Sequence, residues 1–336
     1  MSKITNAKIA GRILITGGTG SWGHELCRQL LTFSKIKEIV ILSRNEHKQV
    51  EMQRKFSSKK IKFVIGDVRD IESLHIHMQQ VDVVFHLAAL KHVPVCDQNS
   101  WQTVQTNIVG THNVIMSSIK ENVKYVIDVS TDKAVEPHNI YGVSKACGEK
   151  LIINAQHNYS TTTKFVCIRA GNVMGTNGSV IPLFKKQILT ENKVTVTDPE
   201  MTRFLMKTTE AINLIFEAIN NAKGGEIFVM KMGSIRVDLI ADAMIEKYGN
   251  DKTKIKIIGS RPGEKKHELL VSKDEIQNTY DFNKNFFIIV PEYRDNRFKK
   301  IISRNKSTLT REFSSEKAKK ISKKDLLYQI AGEDWA

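Results

Sequence analysis

RILITGGTGSWG, residues 12–23, is the stretch that decides the fold. The run RILIT at 12–16 predicts a buried strand. Behind it, glycines at positions 17, 20 and 23 permit a tight turn, close approach of a pyrophosphate, and close packing of a helix on the strand. The amino end of that helix presents unpaired N–H groups that favour phosphate oxygens. The stretch therefore predicts a strand, a dinucleotide-binding loop and a helix in direct succession.

Short apolar runs alternate with segments of helical period after this loop. Trp22–Thr32 and Thr106–Glu121 carry apolar residues three and four apart, as helices that cover a sheet do. The further predicted strands are Glu38–Leu42, Lys62–Ile65, Asp82–Leu87 and Tyr125–Val129. Alternating strands and helices are typical of an α/β fold, so the sequence predicts a Rossmann-type, doubly wound parallel sheet.

Charge and hydropathy narrow the class of protein. The chain carries 51 Lys and Arg against 36 Asp and Glu, a formal net charge of +15. The lysines are spread along the chain without a basic helix-turn-helix or an aromatic RNA platform, so we expect an anionic substrate and no nucleic-acid partner. No apolar run is long enough for membrane insertion and the amino end lacks a signal pattern, so we expect a cytoplasmic protein.

The cysteines stand singly along the chain. No CxxC pair and no histidine at metal-ligand spacing accompanies them, which predicts free thiols and no metal site. The four residues are Cys27, Cys96, Cys147 and Cys167.

The end of the second predicted strand indicates which cofactor the loop binds. An NAD enzyme normally places Asp or Glu there for the adenosine ribose, whereas this chain has Ser43-Arg44-Asn45, with Lys48 one turn on. A guanidinium pairs well with a 2′-phosphate, so the sequence favours NADP over NAD. The alternative is that Arg44 is a surface residue and that Glu46 takes a ribose contact.

A tyrosine and a lysine follow the fifth predicted strand, which leads into Ser130-Thr131. Tyr141 and Lys145 lie four residues apart in a segment of helical period, Ile140–Asn154, so both face one side. A nearby ammonium and the positive nicotinamide ring favour phenolate. We therefore expect a lowered tyrosine pKa and a phenol that accepts a hydroxyl proton.

Residues after the third and fourth strands complete the predicted cofactor site, because an open α/β sheet binds its ligand at the strand carboxyl ends. Asp67 can accept the adenine amino group, and Ala88-Ala89 leave room for the cofactor. The predicted cofactor-binding residues are Gly17, Thr19, Gly20, Ser21, Trp22, Gly23, Ser43, Arg44, Lys48, Asp67, Val68, Ala88, Ala89, Tyr141 and Lys145.

These motifs together resemble the extended short-chain dehydrogenase/reductases. Within that group, four further runs resemble the UDP-N-acetylglucosamine 4,6-dehydratases that invert C5, over roughly residues 10–290. The runs are GDVRD at 66–70, ALKHVP at 89–94, STDKA at 130–134 and MTRF at 201–204. The resemblance implies a UDP-sugar substrate and a homo-oligomer, either a dimer or a hexamer.

Asp132 and Lys133 discriminate between reactions within this resemblance. Dehydration across C5 and C6 needs an acid for the departing hydroxyl and a base for the C5 hydrogen, which a sugar C4-epimerase does not. The resemblance implies that Asp132 is the acid, Lys133 the base, and that Tyr141, Lys145 and Thr131 complete the catalytic set. The alternative is that Asp132 and Lys133 form a local ion pair that only orders the loop.

The chain divides into three predicted parts. Residues 1–170 are expected to form the NADP-binding Rossmann domain with the catalytic residues. Residues 171–298 are expected to be a smaller, mainly substrate-binding lobe that is free to contribute elements to the first domain. Residues 299–336, where lysine density rises, are expected to be a basic C-terminal tail.

The substrate-binding residues follow from the resemblance and from the fit of guanidinium to phosphate oxygens. They are Lys91, Asn172, Arg203, Arg261 and Glu264. The alternative is that the arginines belong to the surface. The chain departs from the family at Ala170 and Asn177, which replace a tyrosine and an arginine, and such changes bear on the accepted sugar or on an extra C3 epimerisation.

Three other functions fit parts of the sequence. A UDP-sugar C4-epimerase and a 4,6-dehydratase that retains C5 share the fold, the cofactor and Tyr141. A catalytically silent NADP-binding scaffold shares the fold and the cofactor, but it does not need Thr131, Tyr141 and Lys145.

Overall fold

A nine-stranded sheet organises the chain in the computed structural model, which describes residues 8–176, 178–291, 296–304 and 307–331. Its strands are β1 (Gly11–Thr16), β2 (Ile36–Ser43), β3 (Ile61–Ile65), β4 (Val83–His86), β5 (Tyr125–Thr131), β6 (Lys164–Ala170), β10 (Ile227–Met230), β14 (Thr279–Asp281) and β15 (Phe286–Ile289). The strands outside this sheet are β7 (Asn172–Val173), β8 (Lys193–Val196), β9 (Thr202–Met206), β11 (Gly233–Arg236), β12 (Lys254–Ile257), β13 (Leu269–Val271) and β16 (Phe313–Ser314).

The strand order is β14-β15-β10-β6-β5-β4-β1-β2-β3. In this spatial order, β10, β6, β5, β4, β1, β2 and β3 are all parallel to one another. At the other end, β15 pairs antiparallel with both β10 and β14. The chain leaves β1 toward β2 and returns to its other side at β4. Such a reversal opens a crevice at the strand carboxyl ends, which is where open α/β sheets bind ligands. The predicted fold class is confirmed.

The helices cover the sheet and build the second lobe. They are α1 (Ser21–Leu30), α2 (Glu46–Lys55), α3 (Ile71–Met78), α4 (Val93–Gln98), α5 (Ser100–Val104), α6 (Gly110–Lys120), α7 (Ile140–Asn158), α8 (Val180–Glu191), α9 (Thr208–Asn221), α10 (Val237–Tyr248), α11 (Lys299–Arg304) and α12 (Lys323–Ile330). No helix within the described ranges combines the length and the apolar character needed to cross a bilayer. All four cysteines are free thiols.

The predicted helix Thr106–Glu121 differs from the structure at its start. A single π-helical turn, Gln105–Val109, joins α5 to α6. The Asn107 side chain in this turn accepts a hydrogen bond from the Leu90 backbone N–H (2.8 Å) and donates one to the Leu90 carbonyl (2.9 Å). The wide turn thus fixes the loop after β4, a long-range contact that helical periodicity does not reveal.

Two hydrophobic cores are present. The larger surrounds the nine-stranded sheet, and three of that sheet's strands, β10, β14 and β15, come from the predicted substrate lobe. The smaller core lies among α8, α10 and α12 and includes Phe184, Ile240 and Leu326. The second lobe therefore gives strands to the first, as the sequence left open, while the boundaries of the three parts stay a prediction.

The expected basic C-terminal tail is wrong for the part of residues 299–336 that the structure describes. There, β16 pairs antiparallel with β13, and Ser315 exchanges hydrogen bonds with Glu268. Leu326 and Ile330, four apart on α12, are fully buried. The prediction rested on lysine density, which reflects only the exposed face of this segment. It overlooked the apolar residues four apart that let α12 pack into the smaller core.

We predict that α12 stabilises the whole fold. Leu326→Ala removes a fully buried side chain and should lower the free energy of unfolding by about 2–5 kcal/mol. Tyr328→Ala on the same helix, where the residue is 82% exposed, should change it by less than about 0.5 kcal/mol. Denaturant unfolding measures both, and equal effects would contradict an integrated α12.

Candidate active site

A cleft of about 590 Å³ opens at the carboxyl ends of the strands, where the strand order reverses. It is lined by the loops after β1, β2, β3 and β4, by the end of β5 and by α7. The residues after β6 that line it are Ala170, Gly171, Asn172, Val173, Thr176, Gly178 and Ser179. All the predicted cofactor-binding residues line this one cleft: Gly17, Thr19, Gly20, Ser21, Trp22, Gly23, Ser43, Arg44, Lys48, Asp67, Val68, Ala88, Ala89, Tyr141 and Lys145.

The glycine loop has the backbone geometry that a pyrophosphate requires. Gly17 adopts φ +67°, and a Cβ there would lie 2.8 Å from the Ala88 backbone. A Cβ on Gly23 would lie 2.0 Å from the Gly18 carbonyl oxygen, so only glycine lets α1 pack this closely. No side chain caps the start of α1, and the positive end of the helix dipole at this position favours an anion. These residues fit a dinucleotide.

The adenosine end of the cleft is basic. Arg44 and Lys48 line it, whereas Glu46 does not. The Asp67 carboxylate accepts hydrogen bonds from the Arg69 backbone and guanidinium, and Arg44 lies 3.9 Å away. Burial disfavours the charge on Asp67, but hydrogen bonds from Arg69 outweigh it and lower the pKa of Asp67. The loop after β2 therefore brings two cationic side chains to this part of the cleft.

Tyr141 and Lys145 reach the cleft from the start of α7. Asn139 caps this helix by accepting a hydrogen bond from the Gly142 N–H (2.9 Å), and it donates one to the Gly263 carbonyl of the second lobe (3.0 Å). Burial raises the pKa of Tyr141, and the Lys145 and Lys133 ammonium groups oppose it only in part. Burial therefore outweighs the two ammonium groups, and the expected lowering of the tyrosine pKa, which also invoked the nicotinamide charge, stays a prediction.

Lys145 has a partner that sequence reasoning missed. Its Nζ lies 3.2 Å from both carboxylate oxygens of Asp128, a fully buried residue of β5. Burial disfavours the ammonium, but Asp128 raises the pKa of Lys145 above its ordinary value. A signal was present in the sequence, because an acidic residue interrupts the otherwise apolar run YVIDV at 125–129.

Asp132 and Lys133 form an ion pair that includes a third residue. The Lys133 Nζ lies 3.0 Å from Asp132 Oδ1 and 3.1 Å from Glu268 Oε1. Glu268, from the loop before β13, was missed because it is far away in the sequence. Burial raises the pKa of Asp132, whereas Asp132 and Glu268 outweigh burial and raise the pKa of Lys133. Lys133 lines the cleft, and Asp132 lies fully buried behind it.

Asp132 packs against a glycine that lines the cleft. Asp132 Oδ1 accepts hydrogen bonds from the Thr131 hydroxyl (3.1 Å) and Lys133, whereas Oδ2 is buried without a hydrogen-bond partner. A Cβ on Gly171, which lines the cleft, would lie 3.1 Å from that Oδ2. The unpaired carboxylate oxygen thus lies behind a wall that has no side chain.

A second buried ion pair holds α7 one turn after Lys145. Arg169 on β6 contacts Glu149 on α7 at 2.6 Å and Glu275 of the second lobe at 2.9 Å. Its guanidinium also donates to the Leu270 carbonyl at 2.9 Å. This network joins the catalytic helix to the segment that follows Glu268.

The predicted substrate residues are only partly brought together. Lys91 and Asn172 line the cleft, but Arg203, Arg261 and Glu264 do not. Arg203 is buried and contacts Glu264 at 3.2 Å, and Arg261 is exposed elsewhere on the surface. The Arg203 guanidinium, which was expected to bind the diphosphate, is therefore already paired with carboxylates of this chain.

The two departures from the family pattern fall in different places. Ala170 ends β6 and lines the cleft, so the absent aromatic ring leaves space there. Asn177 lies outside the described residues. Next to it, Gly178 packs against His92, and a Cβ on this glycine would lie 2.1 Å from the imidazole ring.

Comparison with known proteins agrees with this geometry. Residues 13–290 match a family described as polysaccharide biosynthesis protein. A Methanocaldococcus jannaschii protein, named as an uncharacterized membrane protein, is 44% identical over 93% of this chain and 95% of its own. A Rickettsia canadensis protein, named as a UDP-glucose 4-epimerase, is 39% identical over 92% of each chain.

Solved structures that share this fold include Pen and DesIV. Pen from Bacillus thuringiensis has a TM-score of 0.88 at 38% identity, over 96% of this chain and 98% of its own. DesIV from Streptomyces venezuelae, a dTDP-glucose 4,6-dehydratase solved with NAD bound, has a TM-score of 0.70 at 22% identity, over 75% and 86%. The second likeness concerns the fold alone.

We predict that the glycine loop controls binding of the nicotinamide cofactor. Gly23→Ala forces a Cβ against the Gly18 carbonyl, and a strain of about 1–3 kcal/mol should weaken cofactor binding about ten- to hundredfold. Gly148→Ala is the control, because its Cβ would have no neighbour closer than 3.6 Å. Titration calorimetry with NADP⁺ measures both affinities, and undiminished binding by Gly23→Ala would refute the assignment.

Proposed function

The chain belongs to the polysaccharide biosynthesis protein family, and from this premise we propose that it is a UDP-N-acetylglucosamine 4,6-dehydratase that inverts C5. It is an enzyme of the nucleotide-sugar epimerase and dehydratase type within the extended short-chain dehydrogenase/reductases. The proposed product is a UDP-2-acetamido-2,6-dideoxy-4-keto-hexose of L-arabino configuration, made for surface polysaccharide or glycan biosynthesis. Further epimerisation at C3 is left open.

One observation carries the proposal. Asp132 and Lys133 follow Thr131 directly at the end of β5, and Lys133 lines the same cleft as Tyr141. An epimerisation at C4 needs a base for O4 alone, whereas loss of water across C5 and C6 needs a further acid and base. The ion pair supplies both groups next to the redox site.

The first half of the reaction uses Tyr141 and Thr131. The Tyr141 oxygen takes the proton of the sugar O4 hydroxyl, and Thr131, which is hydrogen bonded to Tyr141, orients that hydroxyl. A nicotinamide cofactor held by the glycine loop, Tyr141 and Lys145 would supply the acceptor for the C4 hydride and the hydride for C6. The resulting C4 carbonyl acidifies the C5 hydrogen.

The second half requires a change of protonation within the ion pair. Lys133 must be a neutral amine to accept the C5 proton, yet its pKa is raised by Asp132 and Glu268. Transfer of one proton over the 3.0 Å from Nζ to Asp132 Oδ1 yields an amine and a carboxylic acid. Burial favours such neutral forms. The amine then removes the C5 proton, and the acid protonates the C6 hydroxyl as water leaves. Addition of hydride at C6 leaves an enolate, and a proton added at C5 from the opposite face completes the product and inverts C5. Tyr141, protonated in the first step, is a candidate donor of that proton.

The substrate is proposed to bind on the second-lobe side of the cleft. Lys91 offers an ammonium and Asn172 an amide to the diphosphate, and both line the cleft. Arg203 acts instead through Glu268, whose carboxylate it approaches at 3.9 Å. Contacts of Arg261 and Glu264 with the uridine ribose stay a prediction from the family resemblance.

A UDP-sugar C4-epimerase is the second candidate, and the Rickettsia canadensis relative named for that activity favours it. A 4,6-dehydratase that retains the configuration at C5 is the third candidate. Incubation with UDP-N-acetylglucosamine and NADP⁺, followed by NMR, separates them, because an epimerase leaves the 6-hydroxyl and a dehydratase gives a 4-keto-6-deoxy sugar. Both dehydratases take deuterium at C5 in D₂O, so C5 stereochemistry decides between them. Tight cofactor binding without turnover of any UDP-sugar would indicate a silent scaffold.

We predict that the ion pair is needed for dehydration. Asp132→Asn and Lys133→Met should each lower turnover of UDP-N-acetylglucosamine by about 10²–10⁴-fold, because each removes one proton-transfer group. Lys266→Met, a surface lysine paired with Glu200, is the matched control and should retain turnover. Full turnover with an unchanged C5 product in both site variants would show that Asp132 and Lys133 only order the loop.

We also predict that Arg44 and Lys48 select NADP. Arg44→Ala and Lys48→Ala should each weaken NADP⁺ binding about tenfold, with NAD⁺ binding little changed, because only NADP carries the 2′-phosphate. Arg54→Ala, on the exposed face of α2, should leave both affinities unchanged. Calorimetric titration gives the affinities, and tighter binding of NAD⁺ than NADP⁺ by the unaltered protein would exclude this preference.

A further inference from the structure

Asp128 is a carboxylate in the middle of the central sheet. It is fully buried on β5, and its neighbours in register are His86 on β4 and Cys167 on β6. An isolated buried carboxylate is costly unless an opposite charge compensates it. The residue therefore requires a partner, and the identity of that partner determines what it does.

His86 does not supply the compensating charge. The Thr111 hydroxyl donates to the Asn107 carbonyl (2.7 Å), so Thr111 Oγ1 accepts from His86 Nε2–H at 3.0 Å. His86 Nδ1 is then left to accept from the Thr16 hydroxyl (2.7 Å), which fixes a neutral tautomer. Burial lowers the pKa of His86 to about 4, in agreement with this assignment.

The other groups around Asp128 leave Lys145 as the compensating cation. The Cys167 thiol stays neutral because burial raises its pKa well above the ordinary value. Behind Cys167, Arg169 is already paired with Glu149. The remaining charged groups, Lys133 and Asp132, face Tyr141 from the turn after β5. Lys145 Nζ, 3.2 Å from both Asp128 oxygens, therefore carries the matching charge.

We propose that Asp128 is a positioning residue that keeps Lys145 Nζ an ammonium ion and thereby sets the pH range in which Tyr141 accepts the substrate proton. This rests on the proposed function only in that Tyr141 is the base. Lys145 in turn favours the phenolate of Tyr141. A carboxylate that never touches the substrate thus acts on the reaction through Lys145.

The direction of the effect follows from one removed charge. Asp128→Asn keeps the size of the side chain and the burial of Lys145, but it removes the group that raises the lysine pKa. The pKa of Lys145 should fall below its ordinary value of about 10.4. The alkaline limb of a bell-shaped pH profile, at which Lys145 loses its proton, should therefore move toward lower pH.

The first test needs no substrate. In Asp128→Asn, the folded pKa of Lys145 should lie below its unfolded value of about 10.4. Between these two pH values the unfolded variant binds one proton more than the folded variant. The folded variant therefore becomes more stable, relative to the unfolded state, as pH rises through this window. The ratio of wild-type to variant folding constants should fall by up to about tenfold per pH unit there. Denaturant unfolding over a pH series measures this ratio.

Glu149→Gln is the matched control. This change removes a buried carboxylate from α7, the helix that carries Lys145. The partner of Glu149 is Arg169, whose guanidinium does not lose its proton in this pH range. The folding-constant ratio for this control should not depend on pH. An Asp128→Asn ratio that is equally flat would overturn the proposal, since a purely structural role does not change with pH.

The second test is the pH profile of turnover by the holoenzyme. The alkaline limb of Asp128→Asn should lie at least about one pH unit below that of the wild type, while Glu149→Gln keeps both limbs. An unmoved alkaline limb in Asp128→Asn would refute the proposal. If the wild type turns over no UDP-sugar, the proposed function fails, and the unfolding series still decides the role of Asp128.

A second variant covers the case in which Asp128→Asn does not fold. The double change of Asp128→Asn with Lys145→Met removes both charges, so it should restore folding that an unpaired buried ammonium prevents. Restored folding supports the pairing. Failure of the double variant to fold would overturn it, because the defect would then not arise from the charge on Lys145.

Discussion

Buried charges behind the cleft are compensated in pairs, and the geometry of the site depends on this compensation. Asp128 matches Lys145, Glu149 matches Arg169, and Asp132 and Glu268 share Lys133. An unpaired charge in the low-dielectric interior is energetically unfavourable. Removing one residue of a pair therefore destabilises its partner on another element of the fold. Two of these networks extend into the second lobe through Glu268 and Glu275. The lobes are therefore joined by electrostatics at the point where the proposed chemistry occurs.

The local parts of the site could be predicted from the sequence, and the long-range parts could not. The glycine loop and the Tyr141–Lys145 spacing are encoded within a few residues, so their placement in one cleft follows from strand and helix periodicity. Glu268 gives no local sign, because its role depends on a loop that folds back from the second lobe. Arg203 was assigned to phosphate on its residue type and on the family resemblance, and its internal carboxylate partners became visible only in three dimensions.

Enzymes that share this fold catalyse different reactions. Whether such an enzyme epimerises C4 or removes water therefore depends on a few side-chain atoms in the site. A buried ion pair can become a neutral acid and a neutral amine by moving a single proton, and the same burial that raises the pKa of Asp132 favours that exchange. Gly171 bears on this because any side chain there would fill the space beside Asp132 Oδ2. In the proposed function, the reaction type is therefore encoded in the turn that carries Asp132 and Lys133 and in the glycine beside it.

The pairing of β6 with β10 has a consequence for how the chain is made. During synthesis from the amino end, β6 emerges before β10, which is separated from it by β7, β8 and β9. Until β10 and β15 arrive, the nascent sheet has a bare parallel edge of the kind that pairs with other chains. We therefore expect folding to finish only after most of the protein has left the ribosome. The nucleotide-binding half is for the same reason a poor module for transplantation into other proteins.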